Sequence, residues 1–155
     1  MCRPGSWVRR RRGRFSGRGG SEPIGNTLLG KLAGVGAAAL VERTAGPQIS
    51  FALDIGQTAG RVVFRSRWQS GRRFELARLL GDRIILPRSG RLFAATRSHT
   101  YRQKMQRSFA AESLAPFGAV DEMLADDYSM ENQQEAAEHF MVSELTAPRS
   151  STTAG

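Results

Sequence analysis

Residues 100–116 carry the firmest structural instruction in this chain. Thr100-Tyr-Arg-Gln103 has the S/T-x-x-E/Q form of a capping box, in which a hydroxyl and a side-chain amide satisfy free N–H groups at a helix start. Pro116 marks the end, because the residue before a proline avoids the α region. A helix bounded at both ends in this way covers about four turns and must bury one side. Tyr101, Met105, Phe109 and Ser113 fall on one stripe, with Ala110 and Leu114 beside it, and this stripe is the expected buried face.

The rest of the chain supplies partners for that helix. Ser70 is positioned to cap a helix over 71–81, with Phe74, Leu76, Ala77, Leu79 and Leu80 as its apolar positions and Gly81 as its stop. Residues 83–93, RIILPRSGRLF, suggest a strand, a Pro-Arg-Ser-Gly turn and a second extended piece. Ile49, Phe51 and Leu53 alternate with Ser50 and Ala52, which predicts a half-buried strand with the larger residues inward. After a loop at Asp54–Gly60, Arg61–Phe64 completes a hairpin over 49–64. Residues 26–43 read as one helix entered at Asn26 or Thr27, weakened by Gly30, Gly34 and Gly36 at about 1 kcal/mol each. Short helices follow around 119–124 and, capped by Ser129, over 130–140, where Met130, Ala136, Ala137 and Phe140 form the apolar side. The fold class expected is α+β: a small antiparallel sheet packed on a few helices.

Composition sets outer limits. A chain of 155 residues is enough for one domain with a modest core. The longest nearly apolar run, Leu32–Val41, is too short to span a bilayer, so no membrane role is expected. A single cysteine, Cys2, excludes an internal disulfide framework and suggests a reducing, cytoplasmic setting. His99 and His139 lie far apart in sequence, so no Cys/His cluster of structural-zinc spacing exists.

The net charge of +9 is segregated. Residues 1–19 hold seven arginines and no acid, residues 61–107 hold thirteen basic residues against Glu75 and Asp82, and residues 108–148 hold nine acids and no Lys or Arg. Either the middle and the end neutralise each other in the fold, or the basic part faces nucleic acid or an acidic partner. Residues 1–23, rich in Arg, Gly and Ser, bury almost nothing and are expected to be a disordered tail. Residues 147–155 are expected to be a second one, leaving 24–146 as the domain.

Within the 71–81 helix, Phe74-Glu75-Leu76-Ala77-Arg78 has the frame of H-E-x-x-H without either histidine. Some thirty residues later come ATRSHTYRQKMQRSFAAESLAPF and then EAAEHFMVSELT. Together these stretches resemble the ImmA/IrrE family of zinc metallopeptidases, over about residues 48–145 and most strongly over 71–145. The core R-x-F-A-A-E-x-L-x-P, here Arg107, Phe109, Ala110, Ala111, Glu112 and Pro116, carries the resemblance.

That resemblance implies a zincin-like domain whose metal site is degenerate. Phe74 stands at the first zinc histidine, Arg78 at the second, and Gln103 at the third ligand, a glutamate in the family. Glu75 keeps the place of the general base that acts on zinc-bound water. A catalytic zinc needs about three protein ligands and an open position. Phenylalanine offers no lone pair, arginine stays cationic, and a glutamine oxygen replaces a carboxylate poorly. The expectation is therefore no zinc, no cofactor and no hydrolysis. Glu75 is then expected to form an ion pair with Arg72 or Arg78 along its helix, or with Arg78 or Arg107 across the two helices.

The last stretch resembles the start of a helix-turn-helix, with a Val-Ser turn and a second helix from Ser143, but Ala147-Pro148 breaks that helix within a turn. The domain is expected to be truncated there and to lack base readout. Three functions stay open. One is a regulatory, non-catalytic domain that binds protein, with a transcriptional repressor as the partner implied by the resemblance. A second is a nucleic-acid binder using Arg9, Arg10, Arg11, Arg12 and Arg14 with the central basic region on phosphates or an acidic partner. The third is a gene remnant without function.

Overall fold

The computed structural model describes residues 22–44, 46–53, 61–85 and 92–144. Among these the chain is an α+β fold of six helices and one three-stranded antiparallel sheet. The expected arginine-rich tail up to residue 21, the loop 54–60, the turn at 87–90 and the segment from 145 onward lie outside the described residues.

The N-terminal stretch forms two helices instead of one, α1 (Asn26–Ala33) and α2 (Ala38–Val41). Gly34 breaks the run. Its φ of 68° places it in the left-handed region that glycine enters without penalty. From there Gly34 N–H bonds Lys31 O and Val35 N–H bonds Gly30 O, the paired closure that ends helices with an αL residue. Asn26 is the first residue of α1, as expected.

The hairpin is present as β1 (Ser50–Leu53) and β2 (Val62–Val63), with Phe51 opposite Val63. Its facing differs from the expectation. Ser50 is fully buried, whereas Ile49 and Leu53 are exposed. The burial of Ser50 is satisfied because its hydroxyl accepts the Arg65 N–H at 2.9 Å. Alternation alone cannot choose between faces when the alternate residues are small, and the paired hydroxyl lets Ser50 face inward without an unsatisfied polar group.

The third helix, α3 (Gln69–Ile85), is longer than expected at both ends. Ser70 lies inside it. The first turn instead closes through Arg72 N–H on Trp68 O, with Ser66 Oγ accepting the Trp68 N–H. Gly81 does not stop the helix, and residues 83–85 are helical rather than extended. A Cβ at Gly81 would lie 2.5 Å from Phe109 Cδ1, so the glycine admits the aromatic ring of the facing helix. Here the missing side chain serves close helix–helix approach, not termination. The remaining strand, β3 (Leu92–Ala95), pairs with β1 and gives the order β2-β1-β3.

The capped helix is α4 (Tyr101–Leu114), and Thr100 Oγ1 accepts the Gln103 N–H as expected. Its buried face is not the aromatic stripe. Gln103, Gln106, Ala110 and Leu114 are buried, while Tyr101 is one of the most exposed residues. Pro116 then leads into α5 (Phe117–Leu124), and Ser129 caps α6 (Met130–His139) through the Asn132 N–H. Ala136, Ala137 and Phe140 are buried on α6 as expected, but Met130 is exposed. Among the described residues, no helix is long and apolar enough to cross a membrane.

Helix α3 is the central element, touching α1, α2, α4, β1 and β3. One side of it, with Leu76 and Ala77, joins Leu29, Leu40, Leu114, Val120, Leu124 and Phe140 in the main core. Leu79 faces the sheet, with Phe93 and Ala95. Each such fully buried leucine contributes about 2 kcal/mol. The remaining faces of α3 bury charge: Arg72, Arg73, Glu75, Arg78 and Asp82 all lie inside.

Candidate functional site

About three consecutive turns of α3 bury ionisable groups, and each group is held in a different way. Arg72 donates to Ser66 O, Ala39 O and Thr44 O, pinning the loops that follow α2 and β2. Arg73, fully buried, donates to Ile24 O, Asn26 Oδ1 and Met141 O. Asp82 receives Arg102 of α4 in a two-pronged pair, with Nε 2.7 Å from Oδ1. That fork matches carboxylate geometry and holds the α3–α4 crossing. Arg102 responds with a pKa above its ordinary value, chiefly through its hydrogen bond to Asp82.

Glu75 and Arg78, one turn apart, border the open part of this region. Glu75 Oε2 accepts the Ser66 N–H at 3.1 Å, and Oε1 meets Arg65 Nη2 at 3.2 Å. The partner of Glu75 is therefore Arg65 from the β2–α3 connection. It is not Arg72, Arg78 or Arg107 as expected. Arg72 is drawn away by three backbone carbonyls, and Arg78 is turned toward β3 and α4.

Arg78 donates from Nη2 to Thr96 O at 2.7 Å, to Gln103 Oε1 and, more distantly, to Gln106 Oε1. Gln103 also accepts the Thr96 N–H and donates to Ala94 O, which Gln106 shares. Gln103 thus completes only half of a capping box. Its backbone N–H is capped by Thr100, but its side chain points inward to the sheet and Arg78. The glutamine spacing of three along α4 is the sequence signal for this inner polar face, and it was masked by the neighbouring aromatic residues.

Phe74, Glu75 and Arg78 of α3 line one cleft with Arg107, Ser108 and Ala111 of α4 and Arg65, Ser66 and Gly71 at its rim, enclosing about 580 Å³. Arg107 reaches Ser98 O at 2.6 Å and Thr96 O at 3.4 Å. Gln103 lies behind Arg78 and does not line the cleft. Three guanidinium groups therefore share this space with one carboxylate. The Arg78 pKa is lowered to about 10, first by burial and then by the Arg107 cation, with Glu75 opposing and Arg65 adding to the fall. The unfolded chain binds this proton more tightly than the folded one. The charge on Arg78 therefore costs stability at neutral pH, and that cost is removed only as pH rises through about 10 toward the ordinary arginine range.

The other residues singled out in the sequence have separate places. Phe109 sits against Gly81 and lines a second, apolar groove with Leu29, Leu32 and Leu80. Ala110 is in the main core. Glu112 accepts the Phe117 N–H and so assists Pro116 at the start of α5. His99 and His139 are both exposed, and His139 meets the Phe140 ring edge-on at 4.8 Å. The turn after α6 lies at Phe140 and Met141, just before the Val-Ser pair: Met141, with φ 53°, lets Val142 N–H reach Ala137 O. Arg9, Arg10, Arg11, Arg12 and Arg14 lie outside the described residues. The burial of Arg72, Arg73 and Asp82 has no periodic signal in the sequence, because charged side chains are usually exposed. Among the described residues, no three His, Cys, Asp or Glu side chains come together as a metal site.

Comparison with protein-family models, with curated proteins and with solved structures finds no match to this chain.

Proposed function

We propose that the chain is a non-catalytic relative of the ImmA/IrrE metallopeptidases, a cytoplasmic regulatory domain that binds protein, with a transcriptional repressor as its class of partner. The observation that carries this reading is the hydrogen bond from Arg78 of α3 to Gln103 of α4, which brings the second and third ligand positions together behind the cleft that Phe74 and Glu75 line. Kinship with a two-helix metal site requires that convergence, and residues twenty-five or more apart in sequence do not acquire it from local structure.

The side chains at those positions do not fit a zinc ion. Phe74 has no donor atom, and Arg78 is a cation in hydrogen-bond contact with Gln103. The Gln103 oxygen is already occupied by Arg78 and the Thr96 N–H. Both Glu75 oxygens are occupied by Arg65 and the Ser66 N–H. Tetrahedral coordination by three protein ligands has no counterpart in that set, and no hydrolytic step is derived for it. Glu75 instead ties the β2–α3 connection to the helix.

The test is elemental analysis of the purified full chain after expression with added zinc. The expected content is below about one-tenth of an equivalent, since a structural or catalytic site would retain close to one. One tightly held equivalent, with peptidase activity lost on Glu75→Gln, overturns the reading.

A second reading, nucleic-acid binding, draws on one surface feature. Trp68 is exposed, with the Arg67 guanidinium 4.8 Å from its ring centroid and that of Arg43 at 6.0 Å. An exposed ring beside two cations suits base stacking with phosphate contact. Its signature is affinity that falls steeply with salt.

A further inference from the structure

The cleft between α3 and α4 is under-compensated in charge. Among the described residues Glu75 is the one carboxylate that lines it, beside Arg65, Arg78 and Arg107, and both Glu75 oxygens are taken by Arg65 and Ser66 N–H. The acceptors of Arg78 and Arg107 are all neutral: backbone carbonyls at 96 and 98 and two glutamine oxygens. Arg78 is buried to within 6% of full exclusion, and its Nε has no hydrogen-bond partner. A buried guanidinium is normally satisfied at every N–H or paired with an anion. Here the pairing is missing on the helix that borders an open space.

We propose that this cleft binds a peptide carboxylate flanked by apolar side chains, the carboxylate held by Arg107 in the field of Arg78 and a neighbouring side chain resting on Phe74 and Ala111. The volume of about 580 Å³ accommodates a short peptide segment and exceeds what a lone inorganic ion would fill. Phe74 and Ala111 give that segment an apolar wall. The inference rests on the reading of the chain as a protein-binding domain and names the chemistry of the partner segment. Zinc content bears on the ancestry and not on this site, so the two can fail separately.

The experiment is calorimetric titration of the full chain with N-acetyl-Leu-Glu-Leu-amide, its Gln counterpart and inorganic phosphate. The acidic peptide is expected to bind with Kd near or below about 1 mM, and the Gln counterpart at least about tenfold more weakly. Arg107→Gln is expected to weaken the acidic peptide by about tenfold, and Arg43→Gln, outside the cleft, to leave it unchanged. Glu75→Gln removes the competing anion and is expected to tighten the acidic peptide by about threefold or more, a gain that damage to the fold would not produce. Any of the following overturns the proposal: no binding of the acidic peptide at millimolar concentration, equal binding of the Gln counterpart, an Arg107→Gln variant that binds as well as the parent, an equal loss on Arg43→Gln, Glu75→Gln binding no tighter than the parent, or phosphate binding more tightly than the peptide.

Discussion

Replacing Arg73 with alanine is expected to remove about 4 kcal/mol of folding stability, a large share of the roughly 5–15 kcal/mol by which a domain is ordinarily stable. Arg73 is the largest fully buried side chain among the described residues. Its three nitrogens donate to Ile24 O at 2.6 Å, Asn26 Oδ1 at 2.6 Å and Met141 O at 3.2 Å. One residue of α3 thereby ties the entry to α1 to the turn after α6. Truncation leaves three acceptors without donors, each worth about 1–3 kcal/mol if left dry, and a cavity that water fills only in part. Burial also lowers the Arg73 pKa, so the native state already carries a desolvation penalty that the three bonds offset. Arg73→Met keeps most of the volume but none of the donors, and is expected to lose about 2–3 kcal/mol. Urea unfolding followed by far-ultraviolet circular dichroism measures both. A loss below about 1 kcal/mol for Arg73→Ala would show that the termini of the fold are held elsewhere.

The second large effect is expected at Phe140, where alanine should remove about 3–5 kcal/mol. Phe140 closes α6 and is buried to within 1% of full exclusion, in the main core with Ala136, Ala137 and Val142. The turn that follows depends on it. Met141 adopts φ 53°, a conformation that disfavours side chains by about 1 kcal/mol, so that Met141 N–H reaches Glu138 O and Val142 N–H reaches Ala137 O. The same closure at Gly34 carries no such strain. Packing of Phe140 and Val142, together with the Arg73 bond to Met141 O, holds a strained residue in place. Phe140→Leu, which keeps most of the apolar contact, is expected to lose only about 1–1.5 kcal/mol. The same unfolding measurement separates the two variants. Equal losses for leucine and alanine would point to the ring edge against His139, at 4.8 Å, in place of packing volume.

The two buried arginines of α3 divide structure from site. Arg73 places a donor nitrogen on each of three acceptors and is not among the residues that line the cleft. Arg78, less than two turns on, faces neutral acceptors, keeps one N–H unpaired and borders the open cleft. Both sit in one helix whose sequence reads as amphipathic, with Phe74, Leu76, Ala77, Leu79 and Leu80 as its apolar positions. Its burial on nearly all sides follows from its central place, with α1, α2, α4 and two strands packed around it.

Local signals in the sequence were enough for the α+β class, the hairpin, the Thr100 and Ser129 caps and the ends of α4 at Thr100 and Pro116, because each depends on groups within a few residues of one another. Motif spacing set Gln103 of α4 beside Phe74, Glu75 and Arg78, but Gln103 lies behind Arg78, hydrogen-bonded to it, and Arg107 lines the cleft in its place. Tertiary structure alone decided that Gly81 receives Phe109 instead of ending a helix, that Ser50 faces inward, and that Gln103 and Gln106 form the inner face of α4. It also decided that Glu75 pairs with Arg65. Each of these turns on which distant group supplies a hydrogen-bond partner or fills a space. Residue type and periodicity report the tendency of a side chain to be buried, not the identity of the atom waiting for it across the core.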